Sequence, residues 1–553
     1  MPADDASTTA VVYGVRSLNG AAPNGGTSNG ADAQSRPLDL RARRQRLMAA
    51  RMEAYTTLDP QATDRQHARG KLTARERLEL LLDEGSFVEL GVFARHRSTD
   101  FGLADRRPYT DGVVTGWGTV EGRPVVAYAH DFRIFGGSLG EVFATKIHKV
   151  MDLAESVGAP VVALNDGAGA RIQEGISALA GYGGIFRRNV RLSGVVPQIS
   201  AVLGPCAGGA AYSPALTDFV VMARGTASLF VTGPDVISAV TGENVTQEEL
   251  GGADVHATRS GVVGSVYESE SECLGDIRYL LSLLPSNNLE EPPYEAPSDV
   301  AERACDELAA IFPDAPNRAY DMLRVVAEIV DEGDLFEVFP AWAPNIICGL
   351  ARLDGHVVGI VANQPMVMAG VLDIAASQKA ARFVRTCDAF NIPLLTLVDV
   401  PGFLPGTSQE HGGIIRHGAK LLYAYCEASV PRVQLIVRKA YGGAYLVMDS
   451  KAIGADFSYA FPTNEIAVMG AEGAVNVLFR KEIGASADPT ARRRELIDDY
   501  ARRLMDPLVG AERGLVDDVI DPADARRVLV RSFRLLRAKR EELMKRKHGS
   551  MPT

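Results

Sequence analysis

Two Gly-Gly-Ala triplets, Gly208-Gly209-Ala210 and Gly442-Gly443-Ala444, follow apolar runs that read as buried strands, Gln198 to Leu203 and Val433 to Val437. Glycine pairs at a strand-to-helix junction let the backbone approach a ligand closely and aim free N–H groups at it. An oxyanion pocket needs that arrangement, two backbone donors set in place before charge develops. A single triplet is more often tight packing than catalysis. Two at matched places in a repeat carry more weight. Side-chain chemistry offers less: no Walker A loop, G-x-S-x-G elbow, H-E-x-x-H or paired Cys/His metal spacing occurs, and no G-x-G-x-x-G follows an obvious strand. His148, His411 and His417 sit in no evident triad. The pattern favours chemistry run by backbone dipoles and a borrowed cofactor.

The triplets belong to a duplication. Lys146, Pro160 and Asp166 recur 233 residues later as Lys379, Pro393 and Asp399, with the triplets offset by one more residue. A period this long means two homologous domains rather than a solenoid. Between Lys and Pro each copy predicts a helix; between Pro and Asp each predicts a buried strand, PVVALND and PLLTLVD. Val113 to Ala129 predicts a hairpin turning at Glu121-Gly122, and Gly349 to Asn363 repeats that trace. Strands and helices then alternate, which argues for an α/β layered domain. The polar, turn-rich stretch Pro285 to Asp299 divides the copies. Leu38 to Leu82 predicts two or three amphipathic helices with basic faces, read as solvated or, alternatively, as gripping phosphates. The charged tail Ala491 to Lys547 is predicted helical, with solvated faces.

Bulk properties narrow the class. A 553-residue chain exceeds one core, and two domains fit it. A net charge of −11 argues against a nucleic-acid binder while leaving room for a local basic pocket. Six scattered cysteines without a C-x-x-C pair indicate reduced, mostly buried thiols and no metal site. The most apolar window, Val357 to Ala376, is broken by Asn363, Gln364, Pro365 and Asp373, so no membrane span is expected. The first 36 or so residues lack apolar periodicity and are expected to be a disordered cytoplasmic tail.

At this point several strings become recognisable: FGGSLGE (135–141), ARIQEG (170–175), GPCAGGAAYSPA (204–215), DVPGFLPG (399–406), RKAYGGAY (438–445) and PTNEIAVMG (462–470). Together they resemble the carboxyltransferase β subunit of biotin-dependent acyl-CoA carboxylases, of the propionyl-CoA carboxylase type, from about residue 38 to 549. The resemblance implies an α/β fold of two tandem crotonase-fold (ββα superhelix) domains, divided here as residues 1–37 tail, 38–295 acyl-CoA side and 296–553 biotin side. It implies a homo-hexameric β core that takes carboxybiotin from a biotinylated α subunit bearing biotin carboxylase and carrier domains, with no nucleic acid and no membrane. The A/V-M-K-M biotinyl signature is absent from this chain. By the same resemblance, the N–H groups of Gly209 and Ala210 hold the acyl-CoA thioester oxygen as it becomes an enolate. Gly442, Gly443, Ala444 and Tyr445 face biotin, with Gly443 and Ala444 on its ureido oxygen. Biotin itself is the base. Phe135, Gly136, Gly137, Gly169, Ala170 and Arg171 are expected to line the coenzyme A site.

Three departures from the family pattern stand out. The usual D-S-G-G-A-R reads Asp166-Gly-Ala-Gly-Ala-Arg171, His130 replaces a common Gln, and Leu446 replaces the Asp of propionyl-type members. Leu446 is expected to shift acyl preference towards acetyl-CoA or longer chains; the bland alternative is simple repacking. A biotin-dependent acyl-CoA decarboxylase α subunit would share this frame, because transfer is reversible. An inactive acyl-CoA-binding assembly subunit finds support only in the altered 166–171 turn.

Overall fold

The computed structural model describes residues 39–56, 59, 61–313 and 318–552. The expected tail at residues 1–37 lies outside them. Helix Leu40–Thr56 opens in a short unit ending at Ala50; everything below lies in the unit Arg51–Thr553.

Both hairpins form because two consecutive residues accept left-handed backbone, the requirement of a two-residue turn. Glu121 (φ 52°) and Gly122 (φ 76°) join β2 (Val113–Val120) to β3 (Arg123–His130). Asp354 (φ 56°) and Gly355 (φ 76°) join β10 (Ile346–Leu353) to β11 (His356–Asn363). Around the first hairpin lie β1 (Val88–Leu90), β4 (Val161–Gly167), β5 (Gln198–Ala207), β6 (Phe219–Ala223), β7 (Ser228–Phe230) and β8 (Ser265–Tyr267). Around the second lie β9 (Leu335–Glu337), β12 (Leu394–Val400), β13 (Arg432–Tyr441), β14 (Phe457–Ala460), β15 (Glu465–Ala467) and β16 (Asp518–Val519). The sheets run β1-β2-β3-β4-β5-β6-β8 and β9-β10-β11-β12-β13-β14-β16, with β7 on β5 and β15 on β13. Strand for strand, the second sheet copies the first.

The duplication reaches the register. Val126 pairs with Val161 in parallel β3 and β4, and Gly359 pairs with Leu394 in β11 and β12. The ladders slip at the same place, between Asn165 and Gly167 and between Val398 and Val400. Each slip brackets the repeat's aspartate. The helices Glu141–Val157 and Ile374–Ala389 pack on the sheets through apolar faces, and each carries one buried lysine. Lys146 Nζ donates to the carbonyls of Thr110 (3.0 Å) and Val113; Lys379 Nζ donates to those of Phe339 (2.8 Å), Trp342 (3.1 Å), Ala343 (3.4 Å) and Ile346 (2.7 Å). These ammonium groups satisfy carbonyls at the turn entering β2 or β10 that no strand pairs. The repeated lysine is therefore a framework residue.

Separate apolar cores fill each copy, and a third, containing Leu78, Val114, Leu281, Phe339, Phe383 and Tyr425, joins them. Burying side chains of this size contributes about 1.5–3 kcal/mol each. Two expectations need correction. The basic helices at the start are not uniformly solvated: Arg77, in helix Ala74–Leu81, is fully buried, and neighbouring Lys71 is buried. The C-terminal tail is a series of helices ending at Leu536, interrupted by β16, and it is irregular beyond Lys539, where Lys and Arg outnumber apolar residues. Five of the six cysteines are buried, and all are free. Among the described residues no helix is long and apolar enough to cross a membrane.

Candidate functional site

Strand β5 ends at Ala207, and Gly208 (φ 60°, ψ −123°) takes a conformation that only glycine adopts freely. That bend starts helix Gly209–Ala215, and the Gly208 N–H is held by the Phe230 carbonyl at 3.1 Å. Gly209 and Ala210 are the first residues of the helix, so their N–H groups have no intrahelical acceptor. A Cβ on Gly209 would come within 2.9 Å of the Tyr182 ring, which forms the floor of the turn. The second turn is built alike. Strand β13 runs to Tyr441, Gly442 (φ 61°) opens helix Gly442–Val447, and Gly443 and Ala444 follow. Here a Cβ on Gly443 would meet nothing within 4 Å. One turn is floored by an aromatic ring; the other faces open space, a cradle that a methyl group would fill.

The expected coenzyme A loops form one stitched layer beside the first turn. Phe135, Gly136 and Gly137 are three consecutive left-handed residues (φ 53°, 61° and 63°). A Cβ on Gly137 would overlap the Asp166 carbonyl, and one on Gly167 would overlap that of Gly137. The Ala168 N–H donates to Gly136 O (3.0 Å), Leu139 N–H to Gly169 O (2.8 Å), and Arg171 N–H to Leu139 O (2.9 Å). Gly167 thus lets the two backbones approach more closely in this chain than the usual serine would, while Ala168 is exposed. The second copy repeats the stitching: Leu372 N–H donates to Gly402 O (3.1 Å) and Leu404 N–H to Leu372 O (2.8 Å).

Arg171 corrects its expected place among ligand-lining side chains. Its guanidinium is buried, with Nη1 donating to Asp111 Oδ1 and Glu174 Oε1 (both 2.7 Å) and Nη2 to the Asp111 and Ser138 carbonyls (both 3.0 Å). It lies against the Phe135 ring, 4.6 Å from the centroid. The side chain clamps the layer from inside because a buried guanidinium must spend its donors on nearby acceptors. Tyr445 likewise turns its ring into the core, leaving its backbone at the turn. Leu446 and its counterpart Tyr212 remain substantially exposed, at 43% and 50%.

Behind the first turn the buried Asp166 carboxylate is held by two cations. Asp166 Oδ1 lies 2.6 Å from Lys71 Nζ, and Oδ2 lies 2.9 Å from Arg77 Nη1. The Asp166 N–H donates to His130 Nδ1 (3.4 Å), and burial pushes His130 down to about 4. The neutral ring therefore keeps its proton on Nε2. Burial pushes the Cys206 thiol up to about 12. In the second copy Asp399 stands where Asp166 stands, yet its partners are Tyr320 OH (2.8 Å), Arg438 Nε (3.0 Å) and Lys439 N–H (3.1 Å). Asn363 Oδ1 replaces His130 in accepting the aspartate amide, at 3.2 Å. Sequence reading missed Tyr182, Lys71 and Arg77. Only Gly204, where a Cβ would crowd Asp166 and Lys71, hinted at a packed charge there.

A family model described as "Carboxyl transferase domain" matches residues 65–551. The chain is 59% identical over 487 residues to a propionyl-CoA carboxylase carboxyltransferase subunit of Haloferax mediterranei, covering 88% of this chain and 94% of that one. It is 56% identical over 489 residues to a methylmalonyl-CoA decarboxylase subunit alpha of Propionigenium modestum, covering 88% and 95%. A crystal structure of transcarboxylase 12S, a hexamer with methylmalonyl-coenzyme A and methylmalonic acid bound, superposes with a TM-score of 0.92. The two are 50% identical, with 94% of this chain and 100% of that one covered.

Proposed function

The chain belongs to the carboxyl transferase domain family, and on that premise we propose the following division of labour for its two turns. It is a carboxyltransferase of the acyl-CoA carboxylase β type. In our reading it carboxylates the α carbon of a short- or medium-chain acyl-CoA, with carboxybiotin delivered by a separate biotinylated subunit. The observation that carries this is the pair of turns, matched in register at the ends of β5 and β13 and each presenting helix-start amides.

The Gly209 and Ala210 amides stabilise the thioester oxygen as negative charge builds on it; an oxyanion donor of this kind is worth about 10²–10³ in rate. The Gly443 and Ala444 amides hold the ureido oxygen of biotin, and the open space at Gly443 suits a ring in close approach. When bound, carboxybiotin supplies both the carboxyl group and the base. That assignment accords with the engagement of Asp166 by Lys71 and Arg77 and with a neutral His130 whose Nδ1 is already occupied. The 135–137 and 166–171 layer positions coenzyme A through its backbone, with Arg171 as a positioning residue.

Apolar side chains stand uncovered beside both turns, among them Ile172 and Ile176 at the first and Val468 and Val477 at the second. Cover from a second copy in a hexameric core would dry both turns and join them across subunits, with the domain boundary near residue 295. The test is reconstitution with biotinylated α subunits, scoring acyl-CoA-dependent carboxyl transfer across acetyl-, propionyl-, butyryl- and octanoyl-CoA. Transfer to at least one acyl-CoA is expected. Failure with every partner and chain length overturns the reading. Net decarboxylation would assign the reverse direction, the activity named for the decarboxylase relative.

A further inference from the structure

A cavity of about 760 Å³ opens between the connector at Asn288 to Tyr294, the starts of β11, β12 and β13, and the C-terminal segment from Val530 to Glu541. Pro431 lines it and immediately precedes β13, whereas Gly442 follows that strand. At ~3.3 Å per residue the strand separates the cavity from the proposed biotin turn by roughly 30 Å. It is a different place from the site described above.

Its floor is apolar, formed by Val358, Val430, Val530 and Phe533. Its rim is basic in a selective way. Arg534 is spent on Asp354 (2.7 Å) and Glu302 (3.1 Å), and Lys539 on Asp456 (2.9 Å) and Glu541 (3.3 Å). Arg537 and Arg540 pair with no carboxylate among the described residues. Arg537 donates to the His356 ring, and Arg540 to the carbonyls of Arg537 (3.1 Å) and Lys539 (2.7 Å). His356 adds no charge at neutral pH, because burial and the adjacent Arg537 push it down to about 4. Among the lining side chains Arg534, Arg537, Lys539 and Arg540 stand against the carboxylates of Glu291, Asp354 and Glu541, an excess of one positive charge that falls on the two guanidinium groups without a carboxylate partner. The Tyr294 ring lies 4.6 Å from that of His356, tilted at 39°, so two aromatic rings edge the cavity.

We propose that this cavity binds a nucleotide-class ligand, its planar ring between the apolar floor and the Tyr294–His356 lip and its phosphates on Arg537 and Arg540. Guanidinium forks match phosphate oxygens bidentately, and the volume lies within the range of small-molecule sites.

The test is calorimetric titration of the assembled full-length protein, without acyl-CoA, using ADP, adenosine, inorganic pyrophosphate and octanoate as probes. ADP is expected to bind one site per chain, with adenosine and pyrophosphate each at least about tenfold weaker. Arg537→Gln and Arg540→Gln should each weaken ADP about tenfold while sparing adenosine. Tyr294→Leu should weaken both nucleoside probes. All three positions lie off the apolar cores, and an unchanged melting temperature checks folding. The proposal is overturned if ADP does not bind, or binds equally well to the arginine variants. Pyrophosphate binding as tightly as ADP would mark a simple anion patch, and tighter octanoate binding an acyl site; either also overturns it. None of these readouts depends on carboxyl transfer.

Discussion

Lys71 and Asp166 form a buried ion pair at 2.6 Å that ties the segment before helix Ala74–Leu81 to the end of β4, directly behind the first Gly-Gly-Ala turn. Neither group has water to fall back on, so each depends on the other and on Arg77. Asp166→Asn should lower stability by about 3–5 kcal/mol, because it leaves Lys71 buried without its counter-charge. Adding Lys71→Met should recover part of that loss. Denaturant midpoints for the four proteins of the cycle measure it, and strict additivity would show that the pair is not coupled.

Gly443→Ala separates a biotin cradle from a merely structural turn. The added methyl meets no atom of its own chain within 4 Å, so the melting temperature and acyl-CoA binding should stay as they are. Carboxyl transfer should fall by about 10²–10³, the loss typical of a disabled oxyanion hole. Retained transfer rates would remove Gly443 from the proposed site.

Leu446 is exposed on the short helix that carries the second turn, two residues beyond Ala444. Leu446→Asp should change the ratio of kcat/KM between propionyl- and acetyl- or butyryl-CoA by about tenfold or more, the scale on which pockets sense a methylene. A panel giving superimposable profiles for the two proteins would leave Leu446 with a packing role only.

His130 should make stability fall on acidification. Its folded value is about 4 against an ordinary 6.5, so the unfolded chain binds more protons between those limits. The stabilisation is complete above about pH 6.5 and shrinks as pH falls towards 4, by about 3 kcal/mol in all. His130→Gln should flatten that part of the profile relative to the native protein. Parallel profiles in urea between pH 7 and pH 4.5 would rule out His130 as the titrating group.

Much of this architecture was legible in the chain because its signals are local. The Glu121-Gly122 turn, the buried runs after Pro160 and Pro393, and the glycines that end β5 and β13 each act through their own backbone preferences. Arg171 was misread for the opposite reason. Its recognition string is local, but where its guanidinium points depends on Asp111, 60 residues earlier, and on the Ser138 carbonyl. The basic faces of the first helices were equally ambiguous, since a helical arginine looks the same in sequence whether it meets water or Asp166.

The sequence alone determined that there are two copies of one plan and where their strands and turns fall, and it favoured backbone amides over side-chain bases. Periodicity and glycine spacing suffice for that. Only the tertiary structure decided how the copies differ. Asp166 took Lys71 and Arg77, whereas Asp399 took Tyr320 and Arg438; Gly209 came to rest on Tyr182, whereas Gly443 was left facing open space. Burial strips a charge of water and makes it bind whichever partner the fold brings near, and no pattern along the chain records that choice.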